Sequence, residues 1–297
     1  LHCLYDCNSG RLEGTTWRPS TGQGIKLHGG KRWTMLARFA HPGVESIDFS
    51  PRETYLVTFS PVGESEGVVL IWDIKSQKKV CELHIKEKTP WPIIKWSHDD
   101  QYFAKMKEKK PGEEHHQAIT IYTTPNFEIL DKKSLKIGDV QDFQWSPSDN
   151  IISYWVPEQG QGNMPAKIVL VSIPNREELN SNNMVLVKDC KMVWAKSGDY
   201  LCVSAERWST KSKKNTYAQF LVFSLRERLI PCERVKVDDK VLNVALEPVG
   251  NRLAVLCGEH PRTQLKIFGQ NEGKLCELHT FDKVSANAIY WSPRGEQ

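Results

Sequence analysis

The sequence has 297 residues, of which 39% are hydrophobic and 26% are charged, and its formal net charge is +4. This balance is typical of a globular protein and excludes a disordered chain. The charge is too small to predict a dedicated nucleic-acid binder, so any such role must come from local patches. No run approaches the roughly 20 apolar residues that a membrane span requires.

The chain starts at Leu1 without Met or a signal-peptide pattern, so we expect a piece of a longer protein. Five of its eight cysteines lie in or beside apolar runs (Cys81, Cys190, Cys202, Cys257 and Cys276). Buried free cysteines behave as small hydrophobes, and their scatter indicates a reducing compartment. We therefore predict a cytoplasmic protein.

A mark of the form aromatic-Ser-Pro, or a close variant, recurs along the chain. It stands at Phe49-Ser50-Pro51, Trp96-Ser97-His98, Trp145-Ser146-Pro147, Trp194-Ala195-Lys196, Leu246-Glu247-Pro248 and Trp291-Ser292-Pro293. The marks are 47, 49, 49, 52 and 45 residues apart. So regular a spacing predicts a repeat architecture.

Each mark is followed by a polar turn, two apolar β-rich runs and a weaker closing run. Tyr55–Phe59 and Val68–Trp72 are examples of the two apolar runs, whose composition suits strands buried on both faces. The closing run Val80–Ile85 alternates apolar and polar residues, as an outer strand with one wet face does. The sequence therefore predicts an all-β fold, a WD40-like β-propeller with four antiparallel strands per blade.

The marks divide the chain into one propeller domain of successive blades. We predict a damaged first blade at about 11–40, whole blades at about 41–90, 91–138, 139–187, 188–240 and 241–285, and the start of a further blade at 286–297. The first unit is called damaged because Gly24 follows Trp17-Arg18-Pro19 too closely to leave room for a second strand. We expect the chain to be part of a larger propeller.

The connections between second and third strands are expected to lie on the same propeller face as the segments between blades. Candidate ribosome or RNA contacts there are Arg207, Trp208, Lys211, Lys213 and Lys214 in one loop, and Lys105, Lys107, Lys109 and Lys110 in another. Lys86, Lys88, Lys132, Lys133 and Lys136 add inter-blade charge. Such lysines bind phosphate by charge, and Trp208 either stacks on a base or packs against a protein. The alternative is that these are solvated loops.

No arrangement of residues in the sequence indicates a particular enzymatic reaction. G-x-S-x-G, P-loop and H-E-x-x-H motifs are absent, so we predict no catalytic residue, no cofactor and no small-molecule substrate. A site assembled from distant residues around a central channel remains the enzymatic alternative. Cys3 with Cys7, and His115-His116 with Glu113 and Glu114, have poor geometry for a metal, and no metal site is predicted.

The segment Ile71-Trp72-Asp73 resembles the ending of a WD40 repeat, although the Gly-His element of that repeat is missing. More particular segments are His41–Val44, Ile47–Pro51, Trp91–Asp99, Leu130–Ile137 and Phe281–Lys283. From about Gly24 onward these closely resemble the b subunit of eukaryotic translation initiation factor 3.

The resemblance implies a nine-bladed propeller in a scaffold subunit. It implies contacts with the a, i and g subunits of the factor and with protein and rRNA of the small ribosomal subunit, near the mRNA entry side, and no membrane. The related propeller factor, translation initiation factor two-A, and a WD40 adaptor outside translation remain alternatives.

Overall fold

The computed structural model describes residues 3–6, 24–29, 34–62, 64, 66–86, 89–160, 163–210, 215–249, 252–259, 261–271 and 274–292. These residues form antiparallel β-sheets and a short 3-10 helix at Leu130–Lys132. The chain divides into two compact units, Leu1–Ile137 and Gly138–Gln297. No helix among the described residues is long and apolar enough to cross a membrane.

The first unit contains one three-stranded sheet and two four-stranded sheets. The three-stranded sheet has the order β1 (Cys3–Asp6), β2 (Ile25–Gly29), β3 (Thr34–Phe39). The next comprises β4 (Ser46–Phe49), β5 (Tyr55–Val62), β6 (Glu66–Asp73) and β7 (Lys78–Ile85). The third comprises β8 (Lys95–Trp96), β9 (Tyr102–Met106), β10 (His116–Thr123) and β11 (Leu135–Val140), the last of which crosses the unit boundary.

The second unit contains three four-stranded sheets in which neighbours in sequence are neighbours in space. The first comprises β12 (Asp142–Trp145), β13 (Ile151–Val156), β14 (Ala166–Ser172) and β15 (Glu178–Met184). The second comprises β16 (Val187–Trp194), β17 (Tyr200–Trp208), β18 (Thr216–Ser224) and β19 (Cys232–Val237). The third comprises β20 (Val241–Leu246), β21 (Leu253–Glu259), β22 (Arg262–Asn271) and β23 (Lys274–Phe281).

Burial within a sheet follows the hydrophobic pattern of the sequence. Residues 253–257 of the second strand β21 are all buried, whereas the fourth strand β7 begins with three exposed residues and then alternates. Central strands are buried on both faces and the outer strand keeps one wet face. The prediction of an all-β fold with four antiparallel strands per repeat is confirmed.

Adjacent sheets of the first unit pack face to face through aromatic side chains. Phe39 of β3 lies 5.4 Å from Trp72 of β6, measured between ring centroids. Tyr55 of β5 stacks on the mark residue Trp96 of the next sheet, with centroids 5.2 Å apart and planes 10° apart. This packing buries the mark residue Trp96, whereas the mark residue Phe49 is only partly buried.

A buried carboxylate also joins sheets of the first unit. Asp100, in the turn between β8 and β9, accepts hydrogen bonds from the Ser50 hydroxyl (2.6 Å) and from the backbone amides of Arg52 (3.1 Å) and Thr54 (3.3 Å). It is 4% exposed. These three donors lie in the turn between β4 and β5, so Asp100 fixes one sheet's first turn to the next.

The second unit uses the same packing with different contacts. The mark residue Trp194, partly buried, donates from its indole nitrogen to the Ser153 hydroxyl of the preceding sheet at 3.1 Å. Arg226 contacts the carboxylates of Asp149 and Asp199, which lie in the first turns of successive sheets. Gly198, with φ +79°, lies so near Ser148 that a Cβ would come within 1.8 Å of its hydroxyl oxygen.

His41 closes a hydrogen-bonded chain inside the first unit. Its Nδ1 lies 2.7 Å from the Thr58 hydroxyl, which also accepts the indole N–H of Trp72 at 3.0 Å. His41 is 5% exposed, and Thr58 is fully buried. A histidine is therefore linked by hydrogen bonds to the Trp72 of the Trp72-Asp73 repeat ending, although the Gly-His dipeptide of the WD40 repeat is missing from the sequence.

The predicted blade limits and the single propeller domain stay predictions. The first sheet takes a strand from Cys3–Asp6, before the predicted range of about 11–40, and Trp17–Pro19 lie outside the described residues. Residues 286–292, the described part of the predicted further blade, form no strand. There the Trp291 indole nitrogen donates to the carbonyl of Ala245 in β20 at 3.0 Å.

Candidate nucleic-acid interface

The predicted contact residues that the structure describes lie at one end of their sheets. We call it the loop end, because there the second strand connects to the third. Lys105 is in β9, and Lys107, Lys109 and Lys110 are in the 107–115 connection to β10. Arg207 and Trp208 end β17, before the 209–215 connection to β18. Lys211, Lys213 and Lys214 lie outside the described residues, so the predictions on them are untested.

All three lysines of the 107–115 connection are exposed. Lys107, Lys109 and Lys110 are exposed and form no ion pair with any residue that the structure describes. Lys105 differs, because its side chain is 14% exposed and its ammonium lies 3.9 Å from the Glu108 carboxylate. The connection thus presents three ammonium groups to solvent.

The backbone of this connection is well ordered by hydrogen bonds. The carbonyl of Lys107 accepts from Nδ1 of His116 at 2.6 Å, and the Lys107 amide donates to Ala118 at 2.8 Å. Lys110 exchanges bonds with Glu113, its amide donating to that carboxylate and its carbonyl accepting from that amide. The exposed lysines therefore project from a defined turn.

The inter-blade lysines that the structure describes are divided between the two ends of the sheets, and Lys88 lies outside the described residues. The Lys86 amide donates to Glu108 at 3.3 Å, which places Lys86 beside the 107–115 connection. Lys132 and Lys133, however, precede β11, the fourth strand of the same sheet, and Lys136 lies in that strand. Connections from third to fourth strands leave the opposite end, which we call the turn end. The prediction that Lys132 and Lys133 share the loop end was wrong, because the short helix Leu130–Lys132 and its flanks were read as a link between blades.

Arg207 is held by residues of its own sheet and by the segment that precedes that sheet. Its Nε donates to the carbonyl of Val185 at 2.8 Å and its guanidinium also bonds the amide oxygen of Gln219. The same guanidinium lies 5.6 Å from the ring centroid of Tyr217. Because three partners already hold the Arg207 guanidinium, this group is less available to bind a ligand than the ammonium of an exposed lysine.

Trp208 lies on the other face of the same sheet with Lys188 and Glu206. The Lys188 ammonium is 5.5 Å from the Trp208 ring centroid and 2.9 Å from the Glu206 carboxylate. The hydrogen bond from Lys188 is the largest cause that holds the pKa of Glu206 below its usual value. Trp208 itself is partly buried, and its backbone amide donates to Leu186 at 2.7 Å.

A cleft of about 430 Å³ opens beside this face. It is lined by β16–β18 on one side and by the 239–244 segment on the other. Its charged lining comprises three lysines and three carboxylates: Lys188, Lys191, Lys240, Asp189, Glu206 and Asp239. The two signs balance, so the cleft carries no net formal charge.

Sequence reasoning missed Lys188, Glu206 and Tyr217. Glu206 lies two residues before the end of β17 and Tyr217 one residue after the start of β18. Their β-alternation with Trp208 and pairing across to Arg207 give a signal for them. Lys188 gives no such signal, because its direction depends on a register shift between β16 and β17. As to metals, no cluster of three or more ligating side chains occurs among the described residues.

Similarity to known proteins covers nearly the whole chain. The b subunit of eukaryotic translation initiation factor 3 from Xenopus laevis is 41% identical over 278 residues, which is 92% of this chain and 39% of that protein. The chain thus spans about two fifths of the length of the curated relatives it matches. Residues 182–297 also match the family model described as "Eukaryotic translation initiation factor eIF2A".

Solved structures show the same fold. A "Crystal structure of the eukaryotic initiation factor" aligns with a TM-score of 0.72 at 16% identity, covering 94% of this chain and 65% of that one. The WD40 domain of Toxoplasma gondii coronin aligns with a TM-score of 0.51 at 12% identity, covering 94% and 75%. The fold is a WD40-like β-propeller fold, and the chain's resemblance to the b subunit of eukaryotic translation initiation factor 3 is confirmed over 92% of its length.

Proposed function

We propose that this chain is a scaffold portion of the b subunit of translation initiation factor 3, which docks on the small ribosomal subunit near the mRNA entry side. The observation that carries the proposal is 41% identity to a b subunit of that factor over 92% of the chain. The same proposal places the protein in the cytoplasm with the a, i and g subunits as partners.

The exposed lysines of the 107–115 connection support docking on rRNA. Lys107, Lys109 and Lys110 are exposed, and the described residues provide them no carboxylate partner. Unpaired cations release counterions from phosphate when they bind, which gives an affinity that falls steeply with salt. Arg207 and Lys105 contribute less, because internal partners already hold them.

We further propose that the chain acts by binding and catalyses no reaction. Burial raises the pKa of Cys202 to about 12, and it raises the pKa of the Cys232 thiol to about 11. Thiols in these surroundings stay protonated at neutral pH and are poor nucleophiles. The balanced charges in the cleft likewise provide no isolated acid or base.

A second candidate is the related factor two-A, which the family match to residues 182–297 favours. That match covers the last part of the chain, whereas similarity to the factor 3 relatives also includes the first unit with its exposed lysines. The whole-chain similarity therefore favours factor 3. A WD40 adaptor outside translation is the outcome expected if the purified complex shows no affinity for ribosomal subunits.

The test compares two sets of three lysines in the full-length protein, assembled in its complex. Lys107, Lys109 and Lys110 are changed to Glu at the loop end, and Lys75, Lys78 and Lys132 are changed to Glu at the turn end as a control. All six are exposed, and the charge change is equal. Co-sedimentation with purified small ribosomal subunits across a salt series gives affinity and salt slope.

The loop-end variant should bind more weakly and lose roughly 0.7–0.9 from the salt slope for each phosphate contact removed, while the control keeps both. Equal affinity and slope for the two variants would refute rRNA contact through this connection. A variant with Lys211, Lys213 and Lys214 changed to Glu extends the same series to the second predicted loop.

A further inference from the structure

A β-bulge at the start of β16 sets the direction of the Lys188 side chain. Val187 lies opposite Arg207 and Asp189 lies opposite Glu206, so Lys188 is the extra residue between two consecutive pairs. A bulged residue leaves the regular alternation and its side chain is re-aimed. Here the side chain reaches the face that carries Glu206 and Trp208, which are two residues apart on β17.

The three side chains form a connected unit. The Glu206 carboxylate holds the Lys188 ammonium at 2.9 Å, and that ammonium lies 5.5 Å from the centre of the Trp208 ring. A cation within about 6 Å of an indole is attracted to the ring face. The Lys188 ammonium thereby occupies one face of the indole.

The cleft of about 430 Å³ begins beside this unit. Lys188 and Glu206 line it, and so does Thr216, which is the residue paired with Trp208 across the β17–β18 ladder. Pockets of small ligands start at about 300 Å³. The space beside Lys188 and Glu206 is therefore large enough for a single nucleotide unit, although Trp208 itself does not line it.

We propose that Lys188 and Glu206 are positioning residues that hold the Trp208 indole as a stacking platform for one unpaired base of rRNA. The inference deepens the proposed function and rests on it. The ammonium covers one ring face and fixes the indole, and the base stacks on the opposite face. Glu206 acts on the ligand only through Lys188.

A direct contact between Lys188 and phosphate makes the opposite prediction for Glu206. If Lys188 simply binds phosphate, Glu206→Gln removes a nearby negative charge and strengthens RNA binding. If Lys188 positions Trp208, the same change frees the lysine from its carboxylate and weakens binding. The sign of the effect of one substitution therefore separates the two mechanisms.

Four single variants and one double variant of the full-length protein test the proposal: Trp208→Ala, Lys188→Met, Lys188→Arg, Glu206→Gln, and Lys188→Met with Trp208→Ala. Binding is measured to purified small ribosomal subunits and to a fluorescent uridine oligonucleotide. Trp208→Ala should weaken binding by roughly 5- to 150-fold, the range expected for one stacked base. Lys188→Met and Glu206→Gln should each weaken it, and the double variant should bind no worse than Trp208→Ala.

A spectroscopic readout separates positioning from general damage. With 5-fluorotryptophan incorporated and the Trp208 resonance assigned by a Trp208→Phe variant, Lys188→Met should shift that fluorine resonance alone. Lys188→Arg should restore both the shift and the affinity. Unchanged affinity of Trp208→Ala, or stronger binding by Glu206→Gln, would overturn the positioning role while leaving ribosome binding intact. If the unmodified complex fails to sediment with small ribosomal subunits, the proposed function fails, and this inference fails with it.

Discussion

The buried hydroxyl of Thr58 is where a very small change should have a large effect on stability. Thr58→Val keeps the shape of the side chain and its preference for a β-strand, but removes the oxygen that joins His41 to Trp72. Thr58 is fully buried, and its oxygen lies 2.7 Å from His41 Nδ1 and 3.0 Å from the Trp72 indole nitrogen. Both partners are themselves less than a tenth exposed.

The expected loss follows from the two groups left without a partner. Each buried polar group whose bond is removed costs about 1–3 kcal/mol, and the added methyl group recovers up to about 0.8 kcal/mol. The net expectation is a loss of roughly 1–5 kcal/mol in the free energy of unfolding. This is a large share of the ~5–15 kcal/mol that stabilises a typical protein.

Urea unfolding followed by tryptophan fluorescence measures this loss from the shift in midpoint at unchanged slope. Thr34→Val, at an exposed threonine of β3, is the matched control and should change stability by no more than about 0.5 kcal/mol. If the two variants are equally stable, or Thr58→Val loses less than about 1 kcal/mol, the buried chain through Thr58 does not stabilise the fold as argued.

Three further predictions concern the cores. Burial lowers the pKa of His41 below its ordinary 6.5, so the unfolded chain takes up a proton more readily; stability should be full above pH 6.5 and fall as the pH drops below it. His41→Gln should flatten this dependence in urea midpoints measured at several pH values. Ala at Gly198 would place its Cβ 1.8 Å from Ser148, whereas Ala at Gly112, also at positive φ, meets nothing within 4 Å. The first should therefore lose about 1–3 kcal/mol more than the second in the same assay. Trp145→Ala, at an 8% exposed mark residue, should cost about 3–5 kcal/mol in thermal or urea unfolding, and a loss below about 1 kcal/mol would contradict its packing role.

The repeat in the sequence predicted the sheets because it reports local properties. The apolar runs at Tyr55–Phe59 and Val68–Trp72 fall inside β5 and β6, and the alternating run at Val80–Ile85 falls inside β7. A strand buried on two faces, or on one, has a hydrophobic period that neighbours in sequence reveal directly. Predicting this part of the fold needed no knowledge of long-range contacts.

The candidate site was harder to predict because its properties depend on partners far apart in sequence. Arg207 was predicted as a ligand contact, but its carbonyl partner at Val185 lies 22 residues earlier. Lys132 was assigned to the wrong end of its sheet because the connection before β11 is as long as a link between blades. Lys188 was overlooked because a bulge, which shows no periodicity, sets its direction.

The distribution of ion pairs separates two kinds of contact that the sequence treated as one. In the described part of the second unit, two lysines at the loop end already face carboxylates: Lys188 faces Glu206 and Lys236 faces Asp238. Exchanging such an ion pair for a lysine–phosphate contact gains little binding free energy. The lysine loses its carboxylate contact, and a solvent-exposed ion pair is weak. Lys107 and its exposed neighbours in the 107–115 connection lose no such carboxylate contact when they bind phosphate. We therefore expect the described part of the second unit to contribute shape and stacking to RNA recognition, and the 107–115 connection to contribute most of its salt dependence.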